Sequence, residues 1–202
     1  LFWRGGMTGR WICPQVDGVE RCTLLSDAFS PGRWNLTHWD LSTRGRAVQL
    51  ASFAPRWVDA KFSGSSGMAP EVAALLRARG WLDEEGVPPL LERQLEYKYL
   101  LATDDSDRAY WMLTGNSLLF LPSSGILRGC GLAALEPWMH FVPVRPDLSD
   151  ALEGVLWAVE HDDEARIIAA RGAAMARQAF SHEAQLYCLQ RMLEDYTSRL
   201  EA

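Results

Sequence analysis

From Tyr97 to Leu200 the chain alternates short apolar runs with segments of helical character, and few folds accommodate that alternation. Tyr97 to Ala102, Ser117 to Leu121 and His140 to Val144 read as strands: five or six residues long, rich in bulky apolar side chains, and bounded by polar, Gly or Pro positions. Between them, Arg108 to Leu113 reads as a short helix closed by Gly115-Asn116, and Gly131 to Glu136 as a second. Three further helices follow Pro146, over Leu148 to Glu160, Asp163 to Phe180 and His182 to Leu200, with Asp147 and Ser149 as N-cap types. Such alternation implies an α/β fold, a Rossmann-like doubly wound parallel sheet with helices on both faces. Its crossovers are expected to be right-handed. Ligands of such sheets bind beyond the C-terminal ends of the strands.

The first half is less regular to the eye. Leu1-Phe2-Trp3 is an apolar run that enters Arg4-Gly5-Gly6, a strand running into a glycine loop. Val19 to Phe29 is expected to form a short helix, residues 30–46 a loop rich in Pro, Gly, Trp and Asn, and Ala47 to Phe53 a strand. Pro70 suits the first turn of a helix running to Arg79 and ended by Gly80. Pro88-Pro89 starts another. The 202 residues therefore divide into a less regular half, 1–96, a Rossmann-like core, 97–180, and a C-terminal helix, 181–202. The chain opens at Leu1 inside an apparent strand, which points to a piece of a longer protein.

Composition narrows the function classes. Hydrophobic residues make up 48% and charged residues 23%, an ordinary globular balance that argues against disorder. A net charge of -6 gives no support to a nucleic-acid partner. The charge is unevenly spread: residues 1–60 carry seven Arg against five acids, and residues 145–202 carry six Arg against eleven. A locally basic region of that kind suits a phosphate-bearing small molecule. No run of about 18 apolar residues is present, so no membrane-spanning helix is expected. Cys13, Cys22, Cys130 and Cys188 have neither CxxC spacing nor a neighbouring His in a zinc pattern, so no structural metal site is expected.

Three segments carry recognisable chemistry. In Trp3-Arg4-Gly5-Gly6-Met7-Thr8-Gly9-Arg10 a strand ends, glycines let the backbone turn, and Arg4 and Arg10 flank Thr8. Exposed backbone amides with guanidinium groups are what a diphosphate needs, although a solvated surface turn has the same composition. In Tyr97-Lys98-Tyr99-Leu100-Leu101-Ala102-Thr103-Asp104-Asp105-Ser106-Asp107-Arg108 a strand delivers a polar loop to the crevice, and Arg108 opens the following helix, whose amides favour an anion. The simpler reading is an acidic N-cap loop. Asp105-Ser106-Asp107 also spells the DxD pattern with which metal-dependent sugar transferases hold a cation against a nucleotide diphosphate. The third segment, Leu135 to Val144, is a strand bracketed by prolines, in which His140 has no visible acid or nucleophile partner and reads as a packed residue.

Taken in order, these segments resemble glycosyltransferase family 90, the family of protein O-glucosyl- and O-xylosyltransferases, capsule-associated xylosyltransferases and lipopolysaccharide-modifying enzymes. The residues that carry the resemblance are Trp3-Arg4-Gly5 with Thr8-Gly9, Glu20-Arg21, Val58-Asp59-Ala60, Tyr97-Lys98-Tyr99-Leu100 and Asn116-Ser117. They continue through Pro137 to Val144, Asp147 to Asp150, Ala165, Ile168-Ala169 and Arg171-Gly172. The resemblance implies the C-terminal domain of a GT-B glycosyltransferase and a UDP-sugar donor held without a metal ion or other cofactor. It also implies a hydroxyl acceptor on a protein, glycan or lipopolysaccharide, and an aspartate base that falls before Leu1 and is not assigned here. The donor contacts expected in this chain are Arg4, Gly5, Thr8, Arg10, Asp105, Ser106 and Arg108. Two rival readings are a metal-dependent DxD transferase and a catalytically inactive nucleotide-binding or interaction domain. The latter draws on a 103–108 loop shorter than the family's usual form.

Overall fold

The computed structural model describes residues 1–6, 15–16, 19–20, 42–64, 70–83, 94–103, 106–122 and 134–200. Six strands form one parallel sheet: β1 (Phe2–Gly5), β4 (Asp59–Ser63), β5 (Leu82–Asp83), β6 (Tyr99–Leu101), β7 (Leu118–Pro122) and β8 (Val142–Val144). The two intervening strands, β2 (Gln15–Val16) and β3 (Val19–Glu20), pair antiparallel in a separate hairpin. In the main sheet the order is β5-β4-β1-β6-β7-β8, with every neighbouring pair parallel. Counted along the chain, the sheet's strands run third, second, first, fourth, fifth, sixth, which is the dinucleotide-binding order with its reversal between β1 and β6. Three strands come from before residue 97 and three from after it, so both halves of the sequence build one sheet.

Two apolar layers cover the sheet, as strand alternation requires. On one face Trp3, Ala60, Phe62, Tyr99, Leu101, Phe120 and Val142 pack with buried residues of helices α1 (Thr43–Phe53), α2 (Pro70–Ala78) and α4 (Ala151–Glu160). On the other Phe2, Leu100, Leu119 and Leu121 pack with Ala109, Met112 and Leu113 of α3 (Ser106–Thr114). Helix α5 (Asp162–Ala179) serves both layers, through Ala165, Ile168 and Ala169 near its start and Ala176 near its end. The last helix, α6 (His182–Leu200), has no buried residue, and Leu186, Leu189, Leu193, Tyr196 and Leu200 along it are all exposed. Cys188 on α6 is disulfide-bonded, and the other three cysteines lie outside the described residues.

The structure corrects several local expectations. Ala47–Phe53 is the body of helix α1 rather than a strand. The Oγ of Ser42 accepts the Gly45 amide at 2.9 Å, capping the helix, and the buried positions 44, 47 and 48 recur at helical spacing. Val19 and Glu20 begin a strand, not a helix, and residues 21–41 lie outside the described residues. The start of the helix expected from Pro88 also lies outside them, as does the first half of Gly131–Glu136, residues 131–133. Helix α4 is entered through Asp150 rather than Asp147 or Ser149: the Asp150 carboxylate accepts the Arg145 amide, and Asp147 accepts the Ser149 amide in a turn outside the helix. The α2 boundaries match the sequence reading, and Gly80 ends that helix with φ 68°, a conformation that glycine adopts without a side-chain penalty.

Candidate functional site

The reversal of strand order leaves a crevice beyond the C-terminal ends of β1 and β6, where Gly5-Gly6 and the buried Thr103 emerge. Two arginines close on the end of β1. Arg108, in the first turn of α3, donates from Nη1 to the carbonyl oxygen of Arg4 at 2.7 Å. Arg44, in the first turn of α1, donates from Nη1 to the carbonyl oxygen of Gly6 at 2.7 Å and is only 2% exposed. The first turns of two helices are thereby fixed around the end of β1 and the residue that follows it. Thr43, beside Arg44, donates its hydroxyl to the carbonyl of Pro146 at 2.8 Å, which ties the start of α1 to the loop after β8.

Gly5 is the point of closest approach. A Cβ at this position would lie 2.5 Å from a ring carbon of Trp3 and 3.2 Å from Arg108 Nη1, so only glycine lets the guanidinium rest against the backbone. The result is a strand end carrying no side chain, two guanidinium groups seated on its carbonyls, and two helix N-termini directed at it. Unpaired first-turn amides and the helix dipole make each terminus favourable to negative charge.

Arg4 occupies a different position from Arg44 and Arg108. Its guanidinium lies on the sheet face over β4 and β5, 7% exposed. Its Nε donates to Asp83 Oδ2 at 2.7 Å and its Nη2 to Asp59 Oδ2 at 3.1 Å. Its Nη1 is 2.8 Å from Asp59 Oδ1 and also reaches the carbonyl oxygens of Trp3 and Asp59 at 3.0 and 3.3 Å. Burial alone would weaken its charge; the bonds from Asp59 and Asp83 more than offset that and raise its pKa above the usual arginine value. The Arg4 side chain is thus held by Asp59 and Asp83, while Arg108 bonds the Arg4 main chain.

Among the other expected donor contacts, Thr8, Arg10 and Asp105 lie outside the described residues. Ser106 opens α3, and its side chain is likewise outside them. The residue that sequence reasoning missed is Arg44. A Ser-Thr pair ahead of an apolar run is a helix-start signal, but reading Ala47–Phe53 as a strand hid the helix and with it the arginine of its first turn. Tyr97, Lys98 and His140 lie at the opposite ends of their strands. Tyr97 stacks on Phe2 at 3.8 Å, Lys98 pairs with Asp162, and His140 Nδ1 accepts the Glu136 amide at 2.9 Å within the turn before β8. His140 is thus a buried structural histidine, as its sequence context suggested. A cavity of about 290 Å³, lined by Ser52, Lys61, Arg79 and Trp81 among others, lies against the C-terminal half of α1, away from the strand ends.

The chain is 33% identical over 162 residues to protein O-glucosyltransferase 3 of Homo sapiens, a match covering 77% of this chain and 30% of that protein. It is 41% identical over 85 residues to protein O-glucosyltransferase 2 of Danio rerio, covering 41% of this chain and 17% of the relative. It is 26% identical over 114 residues to O-glucosyltransferase LpsA of Dichelobacter nodosus, covering 55% of this chain and 36% of the relative. The chain thus spans about a third or less of the length of these relatives. Residues 81–202, more than half of the chain, match glycosyl transferase family 90 as a whole. These matches establish that the chain belongs to glycosyl transferase family 90.

Proposed function

We propose that this chain is the donor side of a sugar transferase, holding the diphosphate of a UDP-sugar between Arg44 and Arg108 while the sugar passes to a hydroxyl group. The observation that carries the reading is the convergence of those two arginines, from the first turns of separate helices, on the carbonyls of Arg4 and Gly6 at the strand-order reversal. When the bond from the anomeric carbon to the diphosphate breaks, negative charge grows on the departing β-phosphate. Guanidinium groups already held in position and helix N-termini stabilise that charge without reorganising. Gly5 keeps the approach open, and Thr8, Arg10 and Ser106 complete the donor's surroundings. No metal ion takes part in this reading. The acceptor is a hydroxyl of a protein, a glycan or a lipopolysaccharide; the relatives' names, protein O-glucosyltransferase and O-glucosyltransferase, support transfer to an oxygen. The donor is the only nucleotide this reading requires, and nucleic acid has no part in it.

The test is calorimetric titration of UDP into the chain and into Arg44→Ala and Arg108→Ala variants. Each substitution is expected to weaken binding by about 1.5–3 kcal/mol, the scale of a charged hydrogen bond, or roughly 10- to 150-fold in Kd. Unchanged affinity in both variants overturns the assignment.

A further inference from the structure

Arg4 is anchored in two directions, and the two anchors have different partners. Its side chain faces β4 and β5, where three guanidinium nitrogens engage Asp59 and Asp83. With three nitrogens engaged by carboxylates, this guanidinium is committed to the sheet. Its main-chain oxygen faces the crevice and is the acceptor for Arg108 Nη1 at 2.7 Å. That oxygen is an anchor for the Arg108 guanidinium, and the next residue, Gly5, leaves room for it: a Cβ there would lie 3.2 Å from Arg108 Nη1.

We propose that Asp83 and Asp59 are positioning residues for the donor diphosphate: by gripping the Arg4 side chain they fix the Arg4–Gly5 peptide, and through it the aim of Arg108. The inference rests on the donor-site reading above. Asp83 is the more telling of the pair. It ends β5, a strand of only two residues at the edge of the sheet, and takes the Arg4 Nε at 2.7 Å. The short edge strand is thus tied to β1 by a side chain across β4, which lies between them. A lysine in place of Arg4 would keep the positive charge but present one ammonium point, unable to bridge two carboxylates in the geometry a guanidinium fork allows.

A double-mutant cycle on UDP binding separates positioning from plain stabilisation. Asp83→Asn and Arg4→Lys are made in the wild-type chain and in Arg108→Ala, folding is checked by circular dichroism, and UDP is titrated into all six proteins. If Asp83 acts through Arg108, each substitution weakens UDP binding in the wild-type background by about 5-fold, the scale of coupling inside one network. Neither then has any further effect once Arg108 is gone, while thermal stability falls equally in both backgrounds. Unchanged affinity in the wild-type background, or an equal loss in both backgrounds, overturns the positioning role and leaves the donor site standing. No UDP binding by the wild-type chain overturns the donor site itself and this inference with it.

Discussion

At Gly5 the space available to a single methyl group separates the family motif from a neutral glycine loop. Trp3, whose ring carbon a Gly5 Cβ would meet at 2.5 Å, is 1% exposed and packs edge-on against Phe62 at 5.7 Å, so it has no free direction in which to retreat. Arg108 is the softer neighbour, and moving it shifts the guanidinium proposed to meet the diphosphate. Gly5→Ala is therefore expected to destabilise the fold by about 1–3 kcal/mol, the usual cost of overpacking a core, and to weaken UDP binding as well. Urea denaturation and UDP titration check the two effects separately, and an unchanged urea midpoint would mean that Trp3 repacks freely. The sequence made this glycine conspicuous, because it follows a strand and precedes basic residues. It did not disclose the tasks of the two neighbouring arginines. Arg4 and Arg108 look alike in the linear pattern; only the return of Asp59 and Asp83 to the same face of the sheet, 55 and 79 residues further on, distinguishes them.

Among the elements, α1 matters most and was least legible. Its apolar run, Ala47 to Phe53, has the length and the branched residue of a strand, and nothing inside it rules one out. What decides is Ser42: its side chain takes the Gly45 amide, starts a helical turn, and brings Arg44 round to the carbonyl of Gly6. Ser42→Ala is accordingly expected to cost about 1 kcal/mol of stability, as loss of an N-cap does. It is also expected to raise the Kd for UDP, because the cap and the phosphate contact occupy one turn. A variant that loses stability but keeps its UDP affinity would separate α1 from the site. The strands β4 and β5 escaped the sequence reading for a different reason. β5 is two residues long, below the length at which alternation can be seen, and β4 alternates intermediate with buried positions around the polar Asp59, Lys61 and Ser63. The later strands were legible because they are buried on both faces and read as continuous apolar runs.

For the whole molecule, alternation after residue 97 was enough to call the fold class, since a parallel sheet with helices on both faces is the arrangement that buries such strands. The position of the crevice was not readable from that half alone: the reversal of strand order exists only because β4 and β5 add to the far side of β1. At this scale electrostatics yields the remaining prediction. The chain carries a net charge of -6, and its acidic excess lies in the C-terminal helices, while the crevice brings together two guanidinium groups and the N-termini of α1 and α3. A diphosphate arriving there meets positive charge already in place, at the end of the sheet where two helices begin. A divalent cation would be redundant, and its own hydration would have to be stripped beside Arg44 and Arg108. A DxD site works the other way: there the cation is the positive charge, and its removal abolishes donor binding. Titration of UDP with and without EDTA is therefore expected to give the same Kd within about 2-fold, a difference of about 0.4 kcal/mol, in the wild-type chain and in Arg108→Ala alike. Loss of binding in EDTA, with Arg108→Ala as tight as wild type, would instead assign the diphosphate to a cation on Asp105 and Asp107. In that case Arg108 serves only to hold the end of β1.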